Sequence, residues 1–595
     1  MLDMSRVRPP ARRSREEESS EEQKQPFVEQ SIDEDEEEQG QDFDKASATR
    51  YGCIAAIFIG VILSLACLIS GIYLLVTDKA KLGASISISD TSREVVSLVI
   101  NVILALCTDG MMFMHSVCLR WALYREGRLE FNTNVRLFTS ARVFGPNSWY
   151  INLVALSCLI LSYASTSVLF LSDEAVLSSA YEEQESSSDP VLVNATALVA
   201  LGIGLAGQAV VATWCFVSSK RLIPTWSANP LNTALAAVQK GDISHRPGRC
   251  MLSVHQRKMQ SQETYPLQQQ GNMFHGKNLV RYILVLLWSL ALLAIAWPIT
   301  IAAVSKSIGN ASATGQASEP LCWKLGFKWD QSSLACSRNY VTLSFSPYAN
   351  DHKPNSAIFS YGTEAVLCVL FVCLIQGIQT IALHCLELLV NLSRDEGIWR
   401  QAHRSETKNA PGTQLVTNPF RAAVSSWENV FLFISKALMH WIIGQSLIPS
   451  VVVEDSKSFE DSRSFESMAY TSVDNLTSLS LKNGFQFDMV YSRLIIYAIL
   501  SIIVATVATF LALRRPKGCQ PAALGHLQTL VNLVDDWKTD GNGRIWWGDK
   551  TSQEGDQVRH AGTCRDKSMV GPILCTAKYA GRRFEPRERP FSVVI

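Results

Sequence analysis

The chain has 595 residues, 47% of them hydrophobic, and sets 54 Lys and Arg against 54 Asp and Glu. The net charge is zero and membrane topology accounts for the basic residues, so nothing points to nucleic-acid binding, and apolar residues gathered into long runs exclude an ordinary multidomain soluble protein. The 15 cysteines are no extracellular disulfide framework, because most fall in apolar runs or in segments expected to face a reducing cytosol.

The first fifty residues, with SREEESSEEQ and DEDEEEQ and almost no aromatics, cannot bury enough apolar surface to offset chain entropy. A disordered acidic tail is expected over 1–50. Eight apolar runs follow, each about the length that crosses a roughly 30 Å hydrocarbon core. The first half, 51–217, holds spans 53–76, 95–119, 150–171 and 192–217. The second half, 279–513, holds spans 282–304, 365–390, 430–452 and 490–513. The expected fold is therefore all-α, a polytopic transmembrane bundle of about eight spans, with no cleavable signal peptide ahead of it.

Orientation follows from the loops, since Lys and Arg are retained on the cytosolic side during insertion. Arg120, Arg125, Arg128, Arg136 and Arg142 follow span two; Lys220, Arg221, Lys240, Arg246, Arg249, Arg257 and Lys258 follow span four, in the loop 218–278. Arg394, Arg400, Arg404, Lys408 and Arg421 follow span six. These loops and both termini read as cytosolic, in a membrane of the secretory pathway. The loop after span three has no Lys or Arg and reads as external, as does 305–364.

Sequons at Asn310 and Asn475 fall in external loops and are expected N-glycosylation sites, whereas Asn194 and Asn391 lie at or inside a membrane boundary. Cys322 and Cys336 are the cysteines of the external loops. They are read as a disulfide closing a loop of about 15 residues, contributing on the order of 3 kcal/mol, against the alternative of two free thiols.

The two halves share features. HSVCLRWALYREG (115–127) parallels HCLELLVNLSRDEG (384–397), a Ser-Trp opens spans three and seven, and basic pairs close spans four and eight. A proline after each pair, Pro230 and Pro521, is placed to open a short helix. Two parallel four-helix repeats about an axis along the membrane normal are the reading, against chance likeness of apolar helices.

In the cytosolic segment 514–550, Leu527, Leu530, Val531, Val534 and Trp537 recur on one helical face. That helix is expected to dock on the bundle or the inner leaflet, with RIWWGDK beside it at the headgroups or under the bundle. Beyond it, 551–595 is read as a loosely ordered tail. GHLQTLVNLVDDW with WWGDK, NPLNTALAAVQ and LYREGRLEFNTNVRLFTS resemble a family of uncharacterised fungal multi-pass membrane proteins from about Tyr51 to Lys550. The resemblance implies an integral membrane protein and carries no activity or substrate.

The candidate chemistry lies in the spans. Asp109 sits near the middle of span two, where a carboxylate costs on the order of 3 kcal/mol unless it is paired, protonated or facing a polar interior. Asn101, Thr108 and His115 recur every seven residues beside it, as a pathway lining or as hydrogen-bonded ties between helices. Span six carries Gln376, Gln379, His384 and Glu387; span seven carries Lys436 and His440 at similar depth. A Glu387–Lys436 ion pair is the structural reading and a proton or ion coupling site the functional one. GIGLAG (202–207) matches a dinucleotide fingerprint only formally, because no strand precedes it inside a span; it supplies small surfaces for helix packing.

No nucleophile elbow, zinc helix, phosphate loop or paired CxxC is present, so no enzyme, cofactor or metal is expected. The expected partners are the lipid bilayer and a small solute or ion, with no nucleic acid; cytosolic partners of the tails are unassigned. The leading functional reading is movement of an ion or small solute. The alternative is a non-transporting scaffold or sensor, and a membrane-embedded enzyme stands last.

Overall fold

The computed structural model describes residues 43–77, 83–173, 190–311, 340–344, 361–403, 411–416, 426–452, 484–551 and 558–580. Apart from the single turn Met273–Gly276, its α-helices in chain order are α1 (Ser47–Thr77), α2 (Asp90–Arg125), α3 (Trp149–Ser167), α4 (Ala195–Ser219) and the short α5 (Pro230–Gln239). Then come α6 (Leu279–Ala311), α7 (Tyr361–Arg400), α8 (Trp427–Ser446), α9 (Tyr491–Leu513) and the short α10 (Leu527–Leu533). Seven of them, α1–α4, α6, α7 and α9, are long and apolar enough to cross a membrane. That makes the chain an integral membrane protein. The helix α8 is 20 residues long and packs among them, but Glu428, Lys436 and His440 lower its mean hydropathy.

Strands at one end of the bundle depart from the all-α expectation. The strands β1 (Gly83–Ser87), β2 (Phe170–Asp173), β3 (Pro190–Asn194), β4 (Tyr340–Ser344), β6 (Leu447–Val452) and β7 (Gly484–Val490) form one six-stranded sheet. Several were read as span ends. Runs such as PVLVN and LIPSVV are rich in β-branched residues, whose stiff side chains favour extended backbone, so the helices stop short and the chain continues as strand.

The sheet order is β1-β3-β2-β6-β7-β4. The outer pairs are antiparallel, β1 with β3 and β4 with β7, as are β2 with β3 and β6 with β7. The central pair, β2 and β6, is parallel, with Ser172 opposite Ser450. Each strand of the first half thus has a counterpart at the same distance from the centre in the second. Helix packing repeats the pattern: α1 lies on α4 as α6 lies on α9, and α3 on α7 as α2 on α8.

Close approach of α4 to its neighbours depends on the GIGLAG glycines. A Cβ on Gly202 would come 2.6 Å from Leu68 Cγ of α1, and one on Gly204 would come 2.5 Å from Ser162 Oγ of α3. Ser64 Oγ uses this proximity to donate to the Gly202 carbonyl at 2.8 Å. In α6 the helix runs on through Pro298.

The opposite end of the bundle carries a cap. Asn229 caps α5, whose first residue is Pro230, and α5 packs on α10, capped by His526 rather than opened by Pro521. Leu527, Leu530, Val531 and Val534 are buried there with Trp399 and Trp547. The RIWWGDK segment forms β8 (Arg544–Asp549), paired with β5 (Thr413–Gln414) and β10 (Ala561–Cys564). Residues 558–580, read as loosely ordered, instead fold: besides β10, β9 (Val558–Arg559) pairs with β11 (Lys578–Tyr579). Their burial against Trp547 and Leu415 supplies apolar contact that periodicity over short strands does not reveal. Residues 43–50, read as the end of the tail, also have fixed places: Thr225 Oγ1 donates to the Asp44 carbonyl and Trp226 N to that of Lys45.

Cys322, Cys336 and Asn475 lie outside the described residues. Asn310 falls in the last turn of α6. Asn194 is buried, and its side chain accepts from Thr196 N and Ala197 N to cap α4.

Candidate functional site

Four charged groups from both halves meet inside the bundle, toward the cap end. Lys436 of α8 is 1% exposed and donates from Nζ to Asp109 Oδ1 of α2 at 2.7 Å and to Glu387 Oε1 of α7. Arg136, on the segment between α2 and α3, places Nη1 3.0 Å from Glu387 Oε2 and Nη2 3.1 Å from Oε1. Two carboxylates thus face two cations, and the charges sum to zero. Balanced pairing of this kind relieves the desolvation that each group would suffer alone.

His384 sits one turn before Glu387, fully shielded, with Nδ1 2.9 Å from Glu387 Oε1 and 2.9 Å from Arg136 Nη2. A ring nitrogen either donates to the carboxylate or accepts from the guanidinium, so the tautomer of His384 is tied to which partner holds Glu387. His440 repeats the arrangement a few ångströms away: Nδ1 lies 2.6 Å from Gln376 Oε1 and 3.1 Å from Gln379 Nε2. Tyr163 lies against both rings, stacked on His440 at 3.7 Å and 6.4 Å from His384.

From His440 the polar groups continue toward the sheet. Gln376 Nε2 donates to Ser167 Oγ at 2.5 Å, and Ser167 borders a cleft with Arg93, Ser97, Thr166, Gly444 and Gln445. Glu94 and Arg493 pair nearby at 2.6 Å, and Gln445 bridges them to Ser97, donating to its Oγ at 3.3 Å.

The stripe on α2 divides. Asp109 faces Lys436, but Asn101 accepts from Thr166 Oγ1 and Thr108 Oγ1 lies 3.3 Å from Tyr163 Oη, so these two tie α2 to α3. His115 is buried, and its carbonyl accepts from Asn147 Nδ2; no hydrogen bond or ion pair to the charged cluster is formed by its side chain among the described residues.

Asp109, His384 and Glu387 bring one potential metal-ligand atom each within 4.8 Å of one another. The Lys436 ammonium already lies on both carboxylates, and a divalent ion added to the balanced cluster would leave two excess positive charges buried. The donor set as it stands fits a tethered cation better than a bound metal.

Sequence reasoning missed Arg136, Tyr163 and Ser167. Arg136 reads as one of several topology-setting arginines, and a tyrosine or serine in an apolar helix carries no signal until its neighbours are known. No family model, curated protein or solved structure matches the chain.

Proposed function

We propose that the protein moves protons across its membrane, along the interface between two four-helix halves. The observation that carries this reading is two buried hydrogen-bonded runs, Ser167–Gln376–His440–Gln379 and His384–Glu387–Lys436–Asp109, with the Tyr163 ring lying against the histidines of both. Both histidines hold Nδ1 between a donor and an acceptor, so this nitrogen finds a partner whether it carries a proton or not. Their Nε2 atoms have no hydrogen-bond partner among the described residues, so a proton crossing either ring needs a water or a side-chain movement to reach the second nitrogen. Gln376, Gln379, Lys436 and His440 are all 1% exposed or less. Such packing favours protons over a solute that would need an open passage.

In this reading α8 is an eighth span, the mirrored sheet and helix packing reflect an internal duplication, and the cap end faces the cytosol while the sheet faces outside. The parallel β2–β6 pairing supports an axis running along the strands, hence along the membrane normal.

A second reading, a scaffold that moves nothing, draws on the same cluster: zero net charge and near-complete burial suit a permanent tie between helices. Proton flux into liposomes holding the purified protein separates the two. The first reading expects flux above empty liposomes that Asp109→Asn and Lys436→Ala reduce at least tenfold; wild-type flux equal to that of empty liposomes overturns it.

A further inference from the structure

We infer that Arg136 is the cap-side gate of the charged cluster, carried by a segment that the cap and the cap-side end of α7 hold together. The inference rests on the proton-relay reading for what passes the gate, but its geometry stands apart from it.

Arg136 covers both oxygens of Glu387 with its two terminal nitrogens, and its side chain is 8% exposed. The other groups on Glu387, Lys436 and His384, come from within the bundle. A guanidinium stays charged at any physiological pH. Held there, it covers the carboxylate from the cap side and its charge repels an incoming proton. Exchange with that side therefore requires the guanidinium to withdraw.

What would withdraw it is set by the backbone that carries it. The segment between α2 and α3 is fastened to the cap rather than to the spans alone. Asn132 N donates to the Gly525 carbonyl at 2.8 Å and Leu527 N to that of Glu130 at 3.0 Å. Asn132 Nδ2 donates to Asp395 Oδ2 at 3.0 Å, and Lys277 Nζ donates to the Thr133 carbonyl at 3.3 Å. The Phe131 ring packs edge-on against His526, the capping residue of α10. Glu396 of α7 receives the neighbouring amides Ala523 N and Leu524 N, both at 2.9 Å. The segment bearing Arg136 and the segment opening α10 thus form one unit, and a shift of α10 is transmitted over four residues to the guanidinium.

Access to Glu387 can be read without any flux. A water-soluble carbodiimide, applied to the purified full chain in nanodiscs at mildly acidic pH, adds to protonated carboxyls it can reach, and mass spectrometry locates the adducts. Wild type is expected to leave Glu387 unmodified. Arg136→Gln is expected to raise Glu387 modification at least fivefold and leave Glu94, at the sheet end, unchanged. Arg136→Lys, whose single ammonium cannot cover both oxygens, is expected to fall between; it carries the test if Arg136→Gln fails to fold. Disturbing the lever at a distance, with Asn132→Ala, is expected to raise Glu387 modification as well. Glu387 unmodified in folded Arg136 variants overturns the gate, as does an equal rise at Glu94, which would mean a loosened bundle. Modification rising as expected while wild-type liposomes show no flux would keep the gate and discard proton movement.

Discussion

Lys436 and Asp109 meet across the boundary between the halves, Nζ to Oδ1 at 2.7 Å, and the same ammonium holds Glu387. The two carboxylates are not equivalent. Glu387 is 15% exposed and serves Lys436, Arg136 and His384, whereas Asp109 is 31% exposed and serves Lys436 alone among the described contacts. Glu387→Gln strands two buried cations and is expected to destabilise the folded protein by roughly 3–5 kcal/mol. Asp109→Asn leaves Glu387 beside Lys436, so only one of the ammonium's two carboxylate partners is lost, and it is expected to cost less than Glu387→Gln. Thermal unfolding in detergent micelles checks the order; a larger loss for Asp109→Asn would mean that Lys436 depends chiefly on Asp109.

The relay can be cut where no charge is disturbed. Gln376 joins His440 to Ser167, and leucine is close to it in volume but offers neither the oxygen nor the amide. Gln376→Leu is expected to lower proton flux at least tenfold in liposomes, with the Lys436 cluster intact. Tyr163→Phe keeps the ring stacked on His440 and loses only the contact to Thr108, so it is expected to change stability by no more than about 1 kcal/mol. Unchanged flux in Gln376→Leu would remove the glutamine from the path.

The charges that matter were legible because they interrupt apolar runs: Asp109, Glu387 and Lys436 are conspicuous at helical depth in any reading of the chain. Their convergence was not, since it depends on which faces α2, α7 and α8 turn to each other. Arg136 was hidden among loop arginines that alternation of charge explains already. The strands escaped for a different reason. A run such as Val451–Val452 after α8, or Val191–Val193 before α4, is as apolar as the helix it adjoins, and hydropathy counts both as span. The mirrored order β1-β3-β2 and β6-β7-β4 is a three-dimensional fact, and the short motif likenesses between halves only hint at it.

The cap should loosen in acid. Burial, with the charges of Arg257 and Lys277, lowers the His526 pKa from 6.5 to about 4. Neutral His526 accepts from Thr529 N through Nδ1 and so caps α10. A depressed histidine pKa means the unfolded chain binds the extra proton first, so this contribution is whole above pH 6.5 and is lost as pH falls to about 4. Its size is on the order of 3 kcal/mol. Asp535 acts in the same direction at lower pH: burial pushes its carboxyl up, but the hydrogen bond from His560 and the Lys550 charge outweigh it and hold it well below the usual range. Amide exchange across Leu527–Leu533, corrected for the intrinsic rate at each pH, is therefore expected to lose protection between pH 6.5 and 4. His526→Asn, a capping residue that does not titrate, is expected to flatten that window. An equally steep loss in His526→Asn would place the acid-sensitive group elsewhere.

The parallel β2–β6 contact is the seam of the sheet, and Ser172 opposite Ser450 marks its register. Strand neighbours stand at a separation that a disulfide spans without backbone movement. Ser172→Cys with Ser450→Cys is therefore expected to cross-link on mild oxidation, detectable as a thiol loss and a mass decrease of about 2 Da, whereas Ser172→Cys with Val452→Cys, two residues out of register, is expected to do so poorly. The bond also separates two ways of moving a proton. Relay along fixed side chains needs no displacement of one half against the other, so flux should survive the cross-link within about twofold. Rocking of the halves about the seam would be stopped by it, and flux would fall and return on reduction. Because Gln376, His440 and Glu387 already lie within hydrogen-bonding reach of their neighbours in the packed bundle, survival of flux is the expected result.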